Sequence, residues 1–182
     1  MSILTYNELV KLVDDGVLTG VHPGHINGAS IDVTLGNTIY VEAPPKGGYD
    51  RVDLMAKETP NLEQITIHGY YDLAPQQFCL ASTTEIFNLP DDIAAEFRLK
   101  SSGARAGLDA ALAMFCDPSW TGSVLTLELF NNLKHHHLRL RPGLKVGQIL
   151  FFRGEPVPGH ASYAVRGQYN FSADTTPSKG VR

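Results

Sequence analysis

The residues best equipped for chemistry fall between Lys100 and Asn131, in the run KSSGARAGLDAALAMFCDPSWTGSVLTLELFN. Ser101, Ser102 and Arg105 follow an apolar stretch ending at Leu99 and are interleaved with Gly103, Ala104 and Ala106. Small residues let backbone amides approach phosphate oxygens, and the hydroxyls and guanidinium add donors. The same string also fits a capped, solvated turn before a short helix. Glu128 is the most unusual placement. In Leu125-Thr126-Leu127-Glu128-Leu129-Phe130, strict alternation puts Thr126, Glu128 and Phe130 on one face and the leucines on the other. On an enclosed face Glu128 is a desolvated carboxyl of raised pKa, suited to moving protons near neutral pH; on a wet face it is an ordinary strand residue. Asp117 lies in Cys116-Asp117-Pro118-Ser119-Trp120-Thr121-Gly122, a turn-forming composition in which it either caps the turn or contacts a ligand.

Other candidates carry less. Trp120 reads as packing. His135, His136 and His137 would alternate faces in a strand and cannot share one ion, so they read as a solvated hairpin connection. A zinc deaminase needs an H-x-E and a P-C-x-x-C motif to make hydroxide, and neither pattern occurs in the chain. Hydrolytic deamination here would rest on a carboxylate and hydrogen bonds to activate water.

The elements that must position these groups are mostly strands. Thr5 and Glu8 stand in capping-box spacing, Leu9, Val10, Leu12 and Val13 mark an apolar face, and Gly16 suits a helix stop. Beyond it, Ile31, Val33 and Leu35 alternate before Gly36-Asn37, and Ile39 and Val41 resume the alternation, which reads as strand, turn, strand. Ala43 to Asp50 is rich in Pro and Gly and reads as an exposed loop. Apolar runs then recur at Ile65–Ile67, Phe78–Ala81, Ala94–Leu99, Val124–Phe130, Leu138–Leu140 and Val146–Phe152. Short strands at this spacing favour a sandwich or barrel with one or two short helices. From Arg153 the chain turns rich in Pro, Gly, Ser and Thr and ends in GQYNFSADTTPSKGVR. That composition reads as a mobile tail, either an inert end or a lid.

Composition limits the class. A chain of 182 residues with 43% hydrophobic content buries one substantial core, so residues 1–182 read as a single domain with 153–182 as its C-terminal segment. A net charge of −4 argues against a nucleic-acid backbone binder but leaves room for a small anionic ligand. Cys79 and Cys116 form no CxxC pair and no disulfide framework, which suits a reducing cytoplasm. No signal-like start and no apolar run long enough for a membrane span is present.

Several ordered motifs resemble one family, the dCTP deaminases, relatives of the trimeric dUTP pyrophosphatases. They are Ile26-Asn27-Gly28-Ala29-Ser30-Ile31-Asp32-Val33-Thr34-Leu35-Gly36-Asn37, Leu89-Pro90-Asp91-Asp92, Ser101-Ser102-Gly103-Ala104-Arg105, Asp117-Pro118 with Trp120 and Gly122, Leu125-Thr126-Leu127-Glu128 with Asn131, Arg141-Pro142-Gly143, and Gly147-Gln148. The resemblance implies a distorted β-barrel of the dUTPase type, a homotrimer with active sites between subunits, and a C-terminal lid. It implies zinc-independent hydrolysis of dCTP to dUTP and ammonia in the supply of dTTP, with onward cleavage to dUMP and pyrophosphate as an extended form. Magnesium would arrive on the triphosphate, and dUTP and dTTP are the further nucleotides expected to bind.

Carried over by motif, the resemblance makes Glu128 the proton shuttle and sets Ser101 and Arg105 at the water and the polarised base. Lys100 and Ser102 match phosphate-contacting positions and Asp117 a sugar-contacting one. The backbone at Thr126 and Leu127 lies beside the pyrimidine, and Tyr163 matches a tail residue near the nucleotide. The departures are specific. Lys100 replaces an arginine and loses its bidentate fork. Gln168 and Ser172 stand where the tail offers lysine and glutamine, around Tyr169, Asn170 and Phe171. The stretch AALAMF, within Asp109–Cys116, replaces a polar turn beside the base, so Met114 and Phe115 would reshape the pyrimidine pocket. Two alternatives fit these departures: a dUTP pyrophosphatase without deamination, in which Asp117 orients water at the α-phosphate, and a nucleotide-binding homologue without catalysis.

Overall fold

The computed structural model describes residues 2–45, 47, 51–110 and 113–180. The opening helix, α1 (Tyr6–Asp14), starts where the capping residues predict: the Thr5 amide donates to Glu8 Oε2 at 3.0 Å. Leu9 and Leu12 are buried, and Gly16 at φ +76° lets the chain turn away.

Among the described residues there are thirteen strands, the longer of which follow the alternation: β1 (Ser2–Ile3), β2 (Leu18–Thr19), β3 (Ile31–Thr34), β4 (Thr38–Glu42), β5 (Leu62–Thr66), β6 (Tyr71–Leu73), β7 (Phe78–Asn88), β8 (Ile93–Leu99), β9 (Leu108–Ala110), β10 (Phe115–Cys116), β11 (Thr121–Asn131), β12 (Leu138–Leu140) and β13 (Lys145–Arg153). Each predicted apolar run lies in one of them except that Ile67 falls just past the end of β5, and β7 and β11 extend well beyond the runs that announced them. Among the described residues, two further short helices, α2 (Ser101–Arg105) and α3 (Tyr163–Arg166), and 3-10 turns at Pro23–His25 and Gly159–Ala161 complete the set. The protein is mostly β, as the sequence predicts.

One sheet orders its strands β5-β4-β7-β11-β9 with β2 added on β7; the other runs β1-β13-β8-β10 with β3 added on β13; β6 and β12 pair separately. The strands around Gly36-Asn37 are therefore no hairpin. The preceding strand joins β13, while the following one joins β5 and β7, so the turn is a corner between sheets. It is pinned where the Gly36 amide donates to Ser82 O at 2.7 Å; a Cβ on Gly36 would come within 3.0 Å of Ser82 Oγ. Of the Ala43–Asp50 loop, Lys46 and residues 48–50 lie outside the described residues.

The core sits between the sheets. Leu125, Leu127 and Leu129 point into it from β11, meeting Ile31, Val33, Ile39, Phe87, Phe97, Ile149 and Phe151. Each such side chain contributes roughly 1.5–3 kcal/mol through burial. Three leucines on one face hold β11 in register, and a slip by one residue would turn Glu128 inward. The core thereby fixes where the carboxylate points.

Candidate functional site

Opposite the leucines, Thr126, Glu128 and Phe130 are partly exposed, and this face of β11 lines a cavity of about 490 Å³. On β7, Leu80 lies directly across from Glu128 and Phe78 across from Phe130. Leu62, Phe78, Leu80, Phe115 and Val124 make the cavity walls largely apolar. Glu128 Oε2 is buried with no hydrogen-bond partner among the described residues. Burial pushes its carboxyl above the usual range, because the charged form loses more on leaving water than its own backbone amide returns.

Cys116 shares the wall, but burial raises its thiol, as it raises that of Cys79 to about 12. Neither supplies a thiolate nucleophile near neutrality. Asp117 is exposed at the cavity edge. Trp120 is buried in the core as expected, its ring 5.2 Å from that of Phe87, and it also anchors the tail.

The tail is docked by hydrogen bonds rather than by apolar burial. Trp120 Nε1 and Ser123 Oγ both donate to Tyr169 O, at 2.8 and 2.9 Å. The Val124 amide donates to Ser172 O at 2.9 Å, and the Ser172 amide to Ser123 Oγ at 3.0 Å. Farther along, the Thr176 amide donates to Thr126 Oγ1 at 3.1 Å and Thr175 Oγ1 to Thr38 O at 2.8 Å. Gly122 has φ +65°, and a Cβ there would meet the Phe171 ring at 2.5 Å, so only glycine lets the tail cross. Tyr163, Tyr169, Ser172, Thr176 and Ser178 thus close one side of the cavity. Burial raises the Tyr163 phenol, whose oxygen accepts from the Tyr169 amide at 3.3 Å.

The remaining candidates stand elsewhere. Ser101, Ser102 and Arg105 form an exposed turn of helix and do not line the Glu128 cavity. Leu127 presents its side chain to the core and only its backbone to the cavity side. Met114 is also core, so of the AALAMF pair only Phe115 reaches the cavity; Ala111 and Leu112 lie outside the described residues. Gln168 contributes its carbonyl to Lys179 Nζ at 2.7 Å. His135, His136 and His137 are exposed between β11 and β12. Among the described residues, no group of three His, Cys, Asp or Glu side chains could hold a metal ion.

Lys100 Nζ contacts Asp32 Oδ1 at 2.7 Å, Lys145 Nζ lies 3.5 Å from the other carboxylate oxygen, and Asn27 Nδ2 donates to Asp32 at 2.9 Å. No local pattern in the sequence announced this cluster, because its members come from three separate segments, around residues 27–32, 100 and 145. Burial pushes the Asp32 carboxyl up, but the hydrogen bonds from Lys100 and Asn27, together with the charges of Lys100 and Lys145, hold it below the usual range. The stabilisation is therefore present above the unfolded carboxylate pKa, near 4, and is lost as pH falls through the folded value. Asp32→Ala, which strands two ammonium groups beside a buried position, is expected to cost about 3 kcal/mol at pH 7. Urea melts should show that gap narrowing below about pH 4.

The chain matches the dCTP deaminase-like family over residues 3–154. A dUMP-forming dCTP deaminase of Nocardioides sp. is 36% identical, the alignment covering 99% of this chain and 96% of the relative. The corresponding protein of Aquifex aeolicus is 30% identical, over 97% of this chain and 94% of its own. Among solved structures, the 2'-deoxycytidine 5'-triphosphate deaminase of Agrobacterium tumefaciens superposes with a TM-score of 0.64 at 21% identity, covering 84% of this chain and 48% of that one; at that identity the likeness concerns the fold. With the family match spanning most of the chain and near full-length relatives at 30% identity or more, the chain belongs to the dCTP deaminase-like family and is a hydrolase.

Proposed function

We propose that the protein hydrolyses dCTP first to dUTP and ammonia and then to dUMP and pyrophosphate. The observation that carries this reading is Glu128, a desolvated carboxyl with one buried oxygen unpartnered among the described residues, on the wall of a largely apolar cavity. In the deamination, Glu128 takes a proton from water as the oxygen bonds to C4 of the base and passes it to N3, leaving a tetrahedral C4 that bears hydroxyl and amine. Glu128 then takes the proton of that hydroxyl and delivers it to the amine, the C4–N bond breaks, ammonia leaves and the C4 carbonyl forms. Low polarity around the carboxyl raises its proton affinity, which favours the proton uptake that the first step needs. Zinc has no part in this scheme, and magnesium enters as a component of the triphosphate substrate.

The second step rests on the near full-length relatives, both dUMP-forming dCTP deaminases. Water attacks the α-phosphorus, the bond to the bridging oxygen breaks, and pyrophosphate departs. Asp117, exposed at the cavity edge, is the group offered to orient that water or the sugar. Ser101, Ser102, Arg105 and Lys100 act, in this reading, from a neighbouring copy in a homotrimer. The exposed position of Ser101, Ser102 and Arg105 away from the same chain's cavity supports that arrangement. Thr126, Tyr163 and Ser172 line the nucleotide's side of the cavity, with Leu127 contributing backbone and Gln168 holding the tail. We assign the enzyme to cytoplasmic deoxynucleotide metabolism, with dTTP as a competing ligand.

The test is incubation with magnesium and each of dCTP, 5-methyl-dCTP, dUTP and CTP, products being separated by ion-pair chromatography. The expected product from dCTP is dUMP, with equimolar pyrophosphate and ammonia. Accumulation of dUTP would confine the activity to deamination. Cleavage of dUTP with dCTP untouched would replace this reading with the pyrophosphatase one, and return of every nucleotide unchanged would overturn both.

A further inference from the structure

We propose that the apolar wall beside Glu128 is a seat for a substituent on C5 of the pyrimidine, and that the protein therefore also deaminates 5-methyl-dCTP. This deepens the reading above and rests on it. The chemistry is the same hydrolysis: 5-methyl-dCTP and water give dTTP and ammonia, and a second water gives dTMP and pyrophosphate.

A cytosine ring has two unlike edges. O2, N3 and the 4-amino group form one, which needs hydrogen-bond partners; C5 and C6 form the other, which needs none. Hydrocarbon packed against the first edge would leave it unpaired, at a cost in free energy. The cavity is divided in the same way. Among the described residues, β7 contributes only Phe78 and Leu80 to the lining, Leu62 of β5 extends that wall, and Phe115 adds a second ring. The polar lining comes chiefly from Thr126 and Glu128 on β11 and from the docked tail.

Register then fixes which edge goes where. Glu128 serves C4, N3 and the departing amine, so the polar edge turns toward it and the C5–C6 edge turns toward β7. Leu80 stands directly across from Glu128 on that strand. Cross-strand neighbours on one face lie about 5 Å apart, so a group one atom beyond C5 comes over Leu80 when C4 is at the carboxylate. Phe78 is 36% and Phe115 58% exposed, which leaves apolar surface for a ligand to cover. A hydrogen on C5 leaves that surface bare, whereas a methyl group covers it. The methyl lies in the plane of the ring and water attacks C4 from above it, so the substituent does not obstruct the reaction.

The experiment measures kcat and KM for dCTP, 5-methyl-dCTP and 5-hydroxymethyl-dCTP with magnesium, in the full-length parent and in Leu80→Thr and Leu80→Phe. Threonine puts a hydroxyl into the seat, and phenylalanine fills it. For the parent, kcat/KM for 5-methyl-dCTP should equal or exceed that for dCTP, carried by a KM about fourfold lower, the effect of one buried methyl group. The value for 5-hydroxymethyl-dCTP should fall below that for 5-methyl-dCTP, because its hydroxyl meets the same apolar wall. In both variants the ratio of 5-methyl-dCTP to dCTP should drop by about fourfold or more. A ratio of two substrates on one preparation is independent of the folded fraction, so a destabilised variant still gives an answer. If dCTP is consumed while 5-methyl-dCTP is poorer by about tenfold or more, the range of discrimination by one methylene, the proposal is overturned and deamination of dCTP stands. A ratio that neither variant changes also overturns it. If folded protein consumes neither nucleotide, the reading above falls and the seat falls with it.

Discussion

Glu128→Gln is expected to lower the rate of dCTP deamination by about 10²- to 10⁴-fold, the range attributed to a positioned acid–base group, while leaving the fold intact or stabilising it. The two effects have one cause. Glu128 Oε2 is buried without a partner among the described residues, so the native carboxylate carries a desolvation cost that a neutral amide lessens. Its pKa is raised in the fold by burial. The sign is then fixed: the protonated carboxyl is compatible with the cavity, and stability is lost as pH rises from the unfolded pKa through the folded one. At neutral pH the glutamine protein should melt at or above the parent temperature, and the difference should vanish below about pH 4, where both side chains are neutral. Product analysis and thermal melts across pH read the two outcomes independently. A glutamine variant that still deaminates at the parental rate would remove Glu128 from the mechanism, and one that melts well below the parent would make the carboxylate a structural anchor.

Removal of residues 168–182 is expected to be the second large change, with kcat/KM for dCTP falling on the order of 10²-fold or more, the scale of a misplaced substrate. Global stability should change little. The tail attaches through hydrogen bonds from Trp120, Ser123, Val124 and Thr175. A net hydrogen bond contributes about 1 kcal/mol, whereas ordering a residue costs about 1–2 kcal/mol of backbone entropy. These opposing terms leave docking close to balance, so a bound nucleotide that touches the tail would tip it toward closure. Trp120 reports the result directly: its indole N–H loses the Tyr169 carbonyl, and its emission should shift to the red as water reaches the ring. Retained activity together with that spectral shift would show that the tail packs on the cavity without serving it.

The same balance explains why composition read the last segment as mobile while the structure finds it docked. Sparse apolar content correctly announced that this segment has no core of its own. What composition could not register is that the backbone groups of Tyr169 and Ser172 meet donors on Trp120, Ser123 and Val124 from a strand far away in sequence. The helix α1, by contrast, was legible in detail, because capping and apolar spacing act within a few residues. Gly36-Asn37 lies between these cases: the turn was legible, but whether its flanking strands pair with each other depended on Ser82 and β13, which no local pattern encodes.

By itself the sequence determined the β-rich class, the positions of the longer strands and the two faces of Leu125–Phe130, because alternation along a strand is a local property and a leucine face must be buried. The motifs likewise placed the chain in its family, as the comparisons bear out. Tertiary structure alone decided that the Glu128 face is enclosed rather than wet, that Leu80 lies opposite the carboxylate, and that Lys100 is bound to Asp32. Each of these depends on strand register and on contacts between distant segments, where many weak interactions compete, and only the folded chain sums them.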